Sequence, residues 1–208
     1  MPQDLPRDSA QRILHVAEAL FAQHGYAGVS LRKITAEAKV NLAAVNYHFY
    51  DKESLYREIL TGRLREINRQ RLALLALAEA RTGDGPVPLV AIADALARPL
   101  FLPASGTGNA GTRLLGRILS ERQAFIDELI RVEFQPAMTR FGQAFRRHAP
   151  GLPPSDFLWR LSFVIGALHH AVVTLPDMPA HTQGLCRADD CAGALRNFID
   201  FTVKALAT

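Results

Sequence analysis

Apolar residues recur at helical spacing along almost the whole chain. Ile13, Val16, Ala17, Leu20, Phe21 and His24 fall at i, i+3, i+4, i+7, i+8 and i+11, one stripe of an α-helix. Asp8 or Ser9 can cap its start, and Gly25 ends it. Ser30 opens a second helix with Leu31, Ile34 and Ala38 on its inner edge. After Lys39 and Val40, Asn41 caps a short third helix whose Phe49 points to the core. Asp51 then caps a long fourth, along which Leu55, Ile59, Leu60, Leu64 and Ile67 continue the period.

Beyond residue 60 the pattern stays helical. The fourth helix continues to about residue 80, where TGDGPVP interrupts it, and Pro86 suits the start of the next. VPLVAIADALARPLF reads as a mostly buried helix stopped near Pro99, followed by a small-residue loop, PASGTGNAG. Residues 112–148 carry a long pattern that divides near residues 120–123, and Pro136 should bend its second part. FLWRLSFVIGALHHAVVTL is apolar nearly all round and so needs cover on several sides. A final helix, about residues 189–206, presents Leu195, Phe198, Ile199, Thr202 and Val203. No stretch reads as a strand or as a repeat, so the fold class is all-α.

Composition narrows the class further. The 208 residues are 49% apolar and 21% charged, as in a soluble globular protein. No apolar run approaches the roughly 18 residues of a membrane span. The opening MPQDLPRDSAQR lacks the apolar core of a signal peptide, which makes the cytoplasm the expected location, with no membrane partner. Cys186 and Cys191 are too few for a disulfide framework and make an incomplete metal site. Reduced thiols, no metal and no cofactor are the expectation.

The net charge of +4 hints at an anionic partner, but residues 1–60 hold seven Lys/Arg against seven Asp/Glu. The excess lies in residues 61–150, with thirteen against eight. Bulk charge therefore does not identify a nucleic-acid surface; placement must.

Placement is informative at the N-terminus. Helices at about residues 30–38 and 41–49, joined by a three-residue turn, form a helix-turn-helix. In such a unit the second helix enters the major groove with its N-terminal residues against base edges. Here that end is Asn41, Leu42, Ala43 and Ala44, small enough for close approach, and Leu42 and Ala43 can meet thymine methyls. Asn46 can bond a base edge or a phosphate, and Tyr47 and His48, one turn on, can reach phosphate oxygens. Ser30 and Arg32 at the start of the second helix, and Lys52 at the start of the fourth, complete the expected phosphate contacts.

GYAGVSLRKITAEAKVNLAAVNYHFYDKESLYREIL closely resembles the DNA-binding region of the tetracycline-repressor (TetR) family over about residues 9–60. Lys39 departs from the pattern, standing where many relatives carry glycine, which predicts a positive φ or a different turn there. The resemblance implies an all-helical homodimer, with a DNA-binding domain over residues 1–52 and a ligand-binding and dimerisation domain over residues 53–208. Double-stranded operator DNA is the implied partner, bound as an inverted repeat. The helices at about residues 155–175 and 189–206 resemble the pair that forms the dimer interface in this family; a purely internal core role is the alternative.

RLLGRILSE and RFGQAFRRHAPGLPPSDFLWRLSFVIGALHH are similar to the sensing domains of members that respond to long-chain fatty acids or acyl-CoA. That likeness implies a small hydrophobic ligand, with multidrug or aromatic ligands as alternatives. Phe101, Leu115, Leu119, Phe125, Ile126, Phe134, Trp159, Phe163 and Val173 are candidate apolar walls, and Arg117, His169 and His170 candidate polar contacts. A helical interaction module without DNA-binding activity is the other class of function. An enzyme is disfavoured, because no nucleophile triad, phosphate loop or paired-carboxylate arrangement stands out. His169 and His170, adjacent on a helix, project about 100° apart and do not chelate one metal readily.

Overall fold

The computed structural model describes residues 5–102, 114–116, 120 and 124–207. The elements are α1 (Leu5–His24), α2 (Leu31–Ala38), α3 (Leu42–Phe49), α4 (Lys52–Thr82), α5 (Leu89–Phe101), α6 (Ala124–Arg146) and α7 (Pro154–Thr174). A 3-10 turn (Leu175–Asp177), a short α8 (Met178–His181) and α9 (Cys191–Leu206) follow, and no strand occurs among the described residues. The fold is all-α, as the periodicity predicts.

Local signals explain most boundaries. Gly25 adopts φ 71° and its N–H reaches Phe21 O at 2.9 Å, ending α1 where a side chain would be strained. Ser30, Asn41 and Asp51 each accept a backbone N–H three residues on, from Lys33, Ala44 and Ser54. The backbone N–H and hydroxyl of Ser54 hold the Asp51 carboxyl below its ordinary pKa. Lys39 lies in the left-handed region, φ 53° and ψ 47°, the first of the two turns expected there. Pro99 was a weaker stop than expected, since α5 runs past it to Phe101, while Pro136 lies inside α6, the helix it was expected to bend. The expected 103–111 loop lies outside the described residues, as does most of the 120–123 division.

Two apolar cores form. The first gathers Ile13, Phe21, Ile34, Val45, Leu55, Tyr56, Ile59 and Leu60 from α1 to α4. The second begins at Leu64 and draws on α4 through α9. By packing, the two cores divide inside α4 between Leu60 and Leu64. The fourth helix is continuous over 31 residues, and its first turns complete the N-terminal core. Leu114, Phe125 and Ile126 cross over to pack on that first core.

Three consecutive residues bridge the regions. Leu114 is buried in the first core and Leu115 in the second. At Gly116, a Cβ would stand 3.1 Å from Val172 O of α7, so only glycine fits without local movement.

Residues Pro154–His181 are long and apolar enough to cross a membrane by length and composition alone. This corrects the expectation that no run reaches that size: α7 and the turn after it join into one nearly continuous apolar rod. Much of that surface faces outward in the single chain, with Leu158, Trp159 and Phe163 all exposed.

Candidate DNA interface and ligand cavity

The helix-turn-helix places the predicted reading surface outward at one end of the first core. Val45 is buried and anchors α3, leaving Asn41, Leu42, Ala43, Asn46 and Tyr47 exposed. Asn41 uses its Oδ1 to hold the α3 N-terminus at 2.8 Å from Ala44 N. Ser30 and Arg32 are exposed at the start of α2. Ala44 differs from expectation: it is half-buried and packs on the core, because it lies on the Val45 side of the helix.

Two of the expected phosphate ligands are engaged inside the protein. His48 Nε2 lies 2.9 Å from Ser9 Oγ, tying α3 to α1. Lys52 Nζ donates to Tyr26 O and Val29 O, both at 2.9 Å, and sits 4.2 Å above the Tyr26 ring. We assign both to holding the head together. Lys52 braces the turn between α1 and α2 against the start of α4, a tertiary role that its place at a helix N-terminus did not reveal.

Tyr50 supplies a feature that sequence reading left unassigned. Its side chain is 82% exposed, next to Tyr47 at 81%. Its backbone has φ 69° and ψ −60°, and Asp51 N bonds Phe49 O at 2.8 Å across it. This is the rare positive-φ γ-turn, a strained conformation for an aromatic residue. It reverses the chain within one residue, so that Asp51 can cap α4 directly after α3.

The second region contains a cavity of about 370 Å³. Leu100, Leu115, Ile130, Phe134, Met138 and Leu168 supply apolar wall, and Arg71, Arg131, Gln135 and His169 the polar groups. Of the predicted wall, Leu115, Phe134 and His169 line it. Val173 does not, although its neighbour Val172 does, a displacement of one residue around α7. Phe101 is buried in the second core, where Leu100 takes the cavity side. Arg117 and Leu119 lie outside the described residues.

Five further candidates lie elsewhere. Phe125 and Ile126 pack against the first core, with Phe125 5.8 Å from Tyr26 and 6.2 Å from Tyr56 between ring centres. Trp159 and Phe163 stand on the outer face of α7, 64% and 60% exposed, with ring centres 5.9 Å apart. His170 is also exposed and absent from the cavity wall. Trp159 and Phe163 share a face because they are one helical turn apart, opposite the buried Val164, Leu168 and Val172.

Several polar ties fix α4 beside α6. Arg65 makes two 3.0 Å bonds to the Glu133 carboxylate, Asn68 Nδ2 donates to Glu133 O at 2.7 Å, and Arg140 pairs with Glu79. The same α4 rod carries the head at one end and the cavity in its middle.

Comparison with known proteins agrees with this architecture. Residues 13–59 match the family model of bacterial regulatory proteins of the tetR family, and residues 94–205 that of the tetracyclin repressor-like C-terminal domain. The HTH-type transcriptional repressor AcnR of Corynebacterium glutamicum is 40% identical over 53 residues, 26% of this chain and 28% of that protein. The HTH-type transcriptional regulator AcrR of Shigella flexneri is 33% identical over 127 residues, 61% of this chain and 55% of that protein. The chain thus matches about a quarter to a half of these relatives' lengths. In fold it is similar to a tetR-family regulator from Shewanella sp. PV-4 (TM-score 0.65, 18% identity, 96% of this chain and 98% of that one). It is equally similar to a regulator from Saccharomonospora viridis solved with choline (TM-score 0.66, 20% identity, 93% and 96% covered). The multidrug binding protein EbrR, solved with malachite green, shares the fold at TM-score 0.61 and 17% identity, with 96% and 98% covered. With both its head and its larger half matched by the family's models, the chain belongs to the tetracycline-repressor family of bacterial regulatory proteins.

Proposed function

We propose that this protein is a transcriptional repressor that binds an inverted-repeat operator as a homodimer and leaves it when a small hydrophobic ligand occupies the cavity. The observation that carries the DNA reading is the exposed N-terminal end of α3, where small side chains stand outward on a helix anchored by buried Val45. Leu42, Ala43 and Asn46 meet base edges, while Ser30, Arg32, Asn41, Tyr47 and Tyr50 meet the backbone. Such work places the protein in the cytoplasm.

The outward stripe of Leu158, Trp159 and Phe163 on α7, with Phe201 on α9, supports the homodimer. Arg160 Nη1 bonds Ala205 O at 3.2 Å and locks these two helices together, so a two-fold partner meets one firm surface. Two-fold docking then sets the half-sites about one helical turn apart, or at a modest offset from it.

The apolar cavity beside α4 supports ligand response, and a hydrocarbon such as a long-chain acyl group suits its walls. The two fold neighbours solved with choline and malachite green support a small-molecule site in this architecture. Ligand bound between α4 and α6 shifts the heads by two routes, the α4 rod and the Phe125–Ile126 contact with the head. A coupling of about 1–3 kcal/mol weakens operator affinity about 5- to 150-fold.

Footprinting on DNA upstream of the protein's own gene tests the reading, with paired protection related by a dyad as the expected result. Protection of one isolated half-site by a stable monomer, or no sequence preference in a wider selection, defeats it. Trp159→Glu should convert the dimer to monomer in light scattering and reduce operator affinity; a persisting dimer places the interface elsewhere.

A further inference from the structure

Arg71 is the one charged side chain buried among the described residues, at 3% exposure, and it lines the apolar cavity. Its Nε donates to Leu96 O at 2.7 Å, and its guanidinium lies 5.1 Å from the Phe134 ring centre. An arginine carries five N–H donors. The Leu96 bond takes one, which leaves four on the two terminal nitrogens.

Four other arginines of the α4–α6 region hold acids. Arg65 has Glu133, Arg98 has Asp94, Arg131 has Glu128 and Arg140 has Glu79. Arg71 has no carboxylate partner among the described residues, and no acidic residue lines the cavity. Burial alone pushes its pKa down to about 9, so it remains a cation at neutral pH. A desolvated charge without a counter-charge is costly, and its retention in a cavity calls for an anion from outside.

We propose that the cavity takes a free carboxylic acid with an apolar body, its carboxylate seated on the terminal nitrogens of Arg71 and its hydrocarbon against Leu100, Phe134, Met138 and Leu168. This rests on the cavity being the sensing site and specifies the charge of what enters. A guanidinium matches a carboxylate with two parallel hydrogen bonds, which a neutral alcohol or a cation cannot reproduce. An acyl-CoA fits poorly for two reasons. Its thioester is uncharged where the hydrocarbon begins, and a 370 Å³ cavity holding the chain cannot also enclose the nucleotide, which would stay outside and away from Arg71. The free acid is therefore favoured over the thioester.

The test measures binding of dodecanoate, dodecanol, dodecyltrimethylammonium and dodecanoyl-CoA to the full-length dimer by calorimetry, below micellar concentrations. Dodecanoate should bind about 10-fold or more tighter than dodecanol, as a charge-assisted bond implies, and the cation and thioester should be weaker than the acid. Arg71→Met should bring acid and alcohol to equal affinity, and Arg71→Lys should restore part of the acid preference. If Arg71→Met fails to fold, the wild-type series still decides. Equal binding of dodecanoate and dodecanol, or tighter binding of the cation, overturns the proposal, and dodecanoyl-CoA binding as tightly as the acid overturns the free-acid assignment. Operator affinity is read separately. Arg71-dependent binding of dodecanoate with unchanged operator affinity would leave this inference standing and defeat the regulatory reading above.

Discussion

The two halves of the chain handle their apolar surface differently. The head closes its core around side chains from α1 to α4 and borrows Leu114, Phe125 and Ile126 from outside to finish it. The larger half leaves a cavity beside a buried cation and an uncovered aromatic stripe on α7. Closure keeps a reading surface in fixed register for a groove of fixed shape. Incomplete closure leaves places for a ligand and for a second chain. On the reading proposed above, the head meets DNA with an outer face over a closed core, whereas the larger half meets a ligand and a second chain where its own apolar surface is left open.

The largest effects should come from breaking each core in turn. Phe21→Ala and Phe145→Ala each remove a fully buried ring and should cost about 3–5 kcal/mol. Calorimetric melts should show Phe21→Ala abolishing operator binding while the larger half retains its cavity ligand. Phe145→Ala should lose ligand binding first. If both variants lost both activities together, the halves would be one cooperative unit and the contrast drawn above would fail.

A smaller change should separate reading from folding. Ala43→Asp adds a carboxylate at the exposed start of α3, where it suits the helix dipole but meets DNA unfavourably. Specific affinity should fall by about 2–3 kcal/mol in fluorescence anisotropy, with the melting temperature unchanged. Retained affinity would move the reading surface elsewhere on the head.

Lys52→Met sharpens the distinction between a brace and a DNA contact. Losing two bonds from an ammonium to carbonyls should destabilise the head by about 1–3 kcal/mol. The salt dependence of operator binding should keep its slope. A slope reduced by about one unit would restore Lys52 to the phosphate contacts. The smallest expected effect is Lys39→Gly, which should stabilise by roughly 0.5–1 kcal/mol, since the position already has φ 53°. Denaturant titration would detect it, and a loss of stability would mean that the lysine side chain contributes more than its backbone strain costs.

Features decided within a few residues were legible in the sequence. The caps Ser30, Asn41 and Asp51 follow from neighbours in the chain, and the left-handed Lys39 is one of the two outcomes that the family resemblance allowed there. Features decided by distant partners were not. Nothing near Lys52 announces that carbonyls at Tyr26 and Val29 lie within its reach, nor does His48 announce Ser9. On α7 the reason is different: a helix apolar nearly all round carries no phase, so Trp159 and Phe163 could not be told from Ile165 and Leu168. Arg71 sits in a basic connector whose other arginines mostly face water, and only the tertiary structure distinguishes it from them.

The borrowed residues of the head bear on how such proteins can be recombined. A chimaera joining this head to another relative's larger half would naturally be cut in α4 between Leu60 and Leu64. That cut leaves behind Leu114, Phe125 and Ile126, which seal the head from beyond the junction. A transplanted head would therefore carry an open apolar flank unless the recipient supplies matching side chains there. Modularity in this chain is a property of residues 5–60 together with Leu114, Phe125 and Ile126, so the unit proposed to read DNA is discontinuous in the gene.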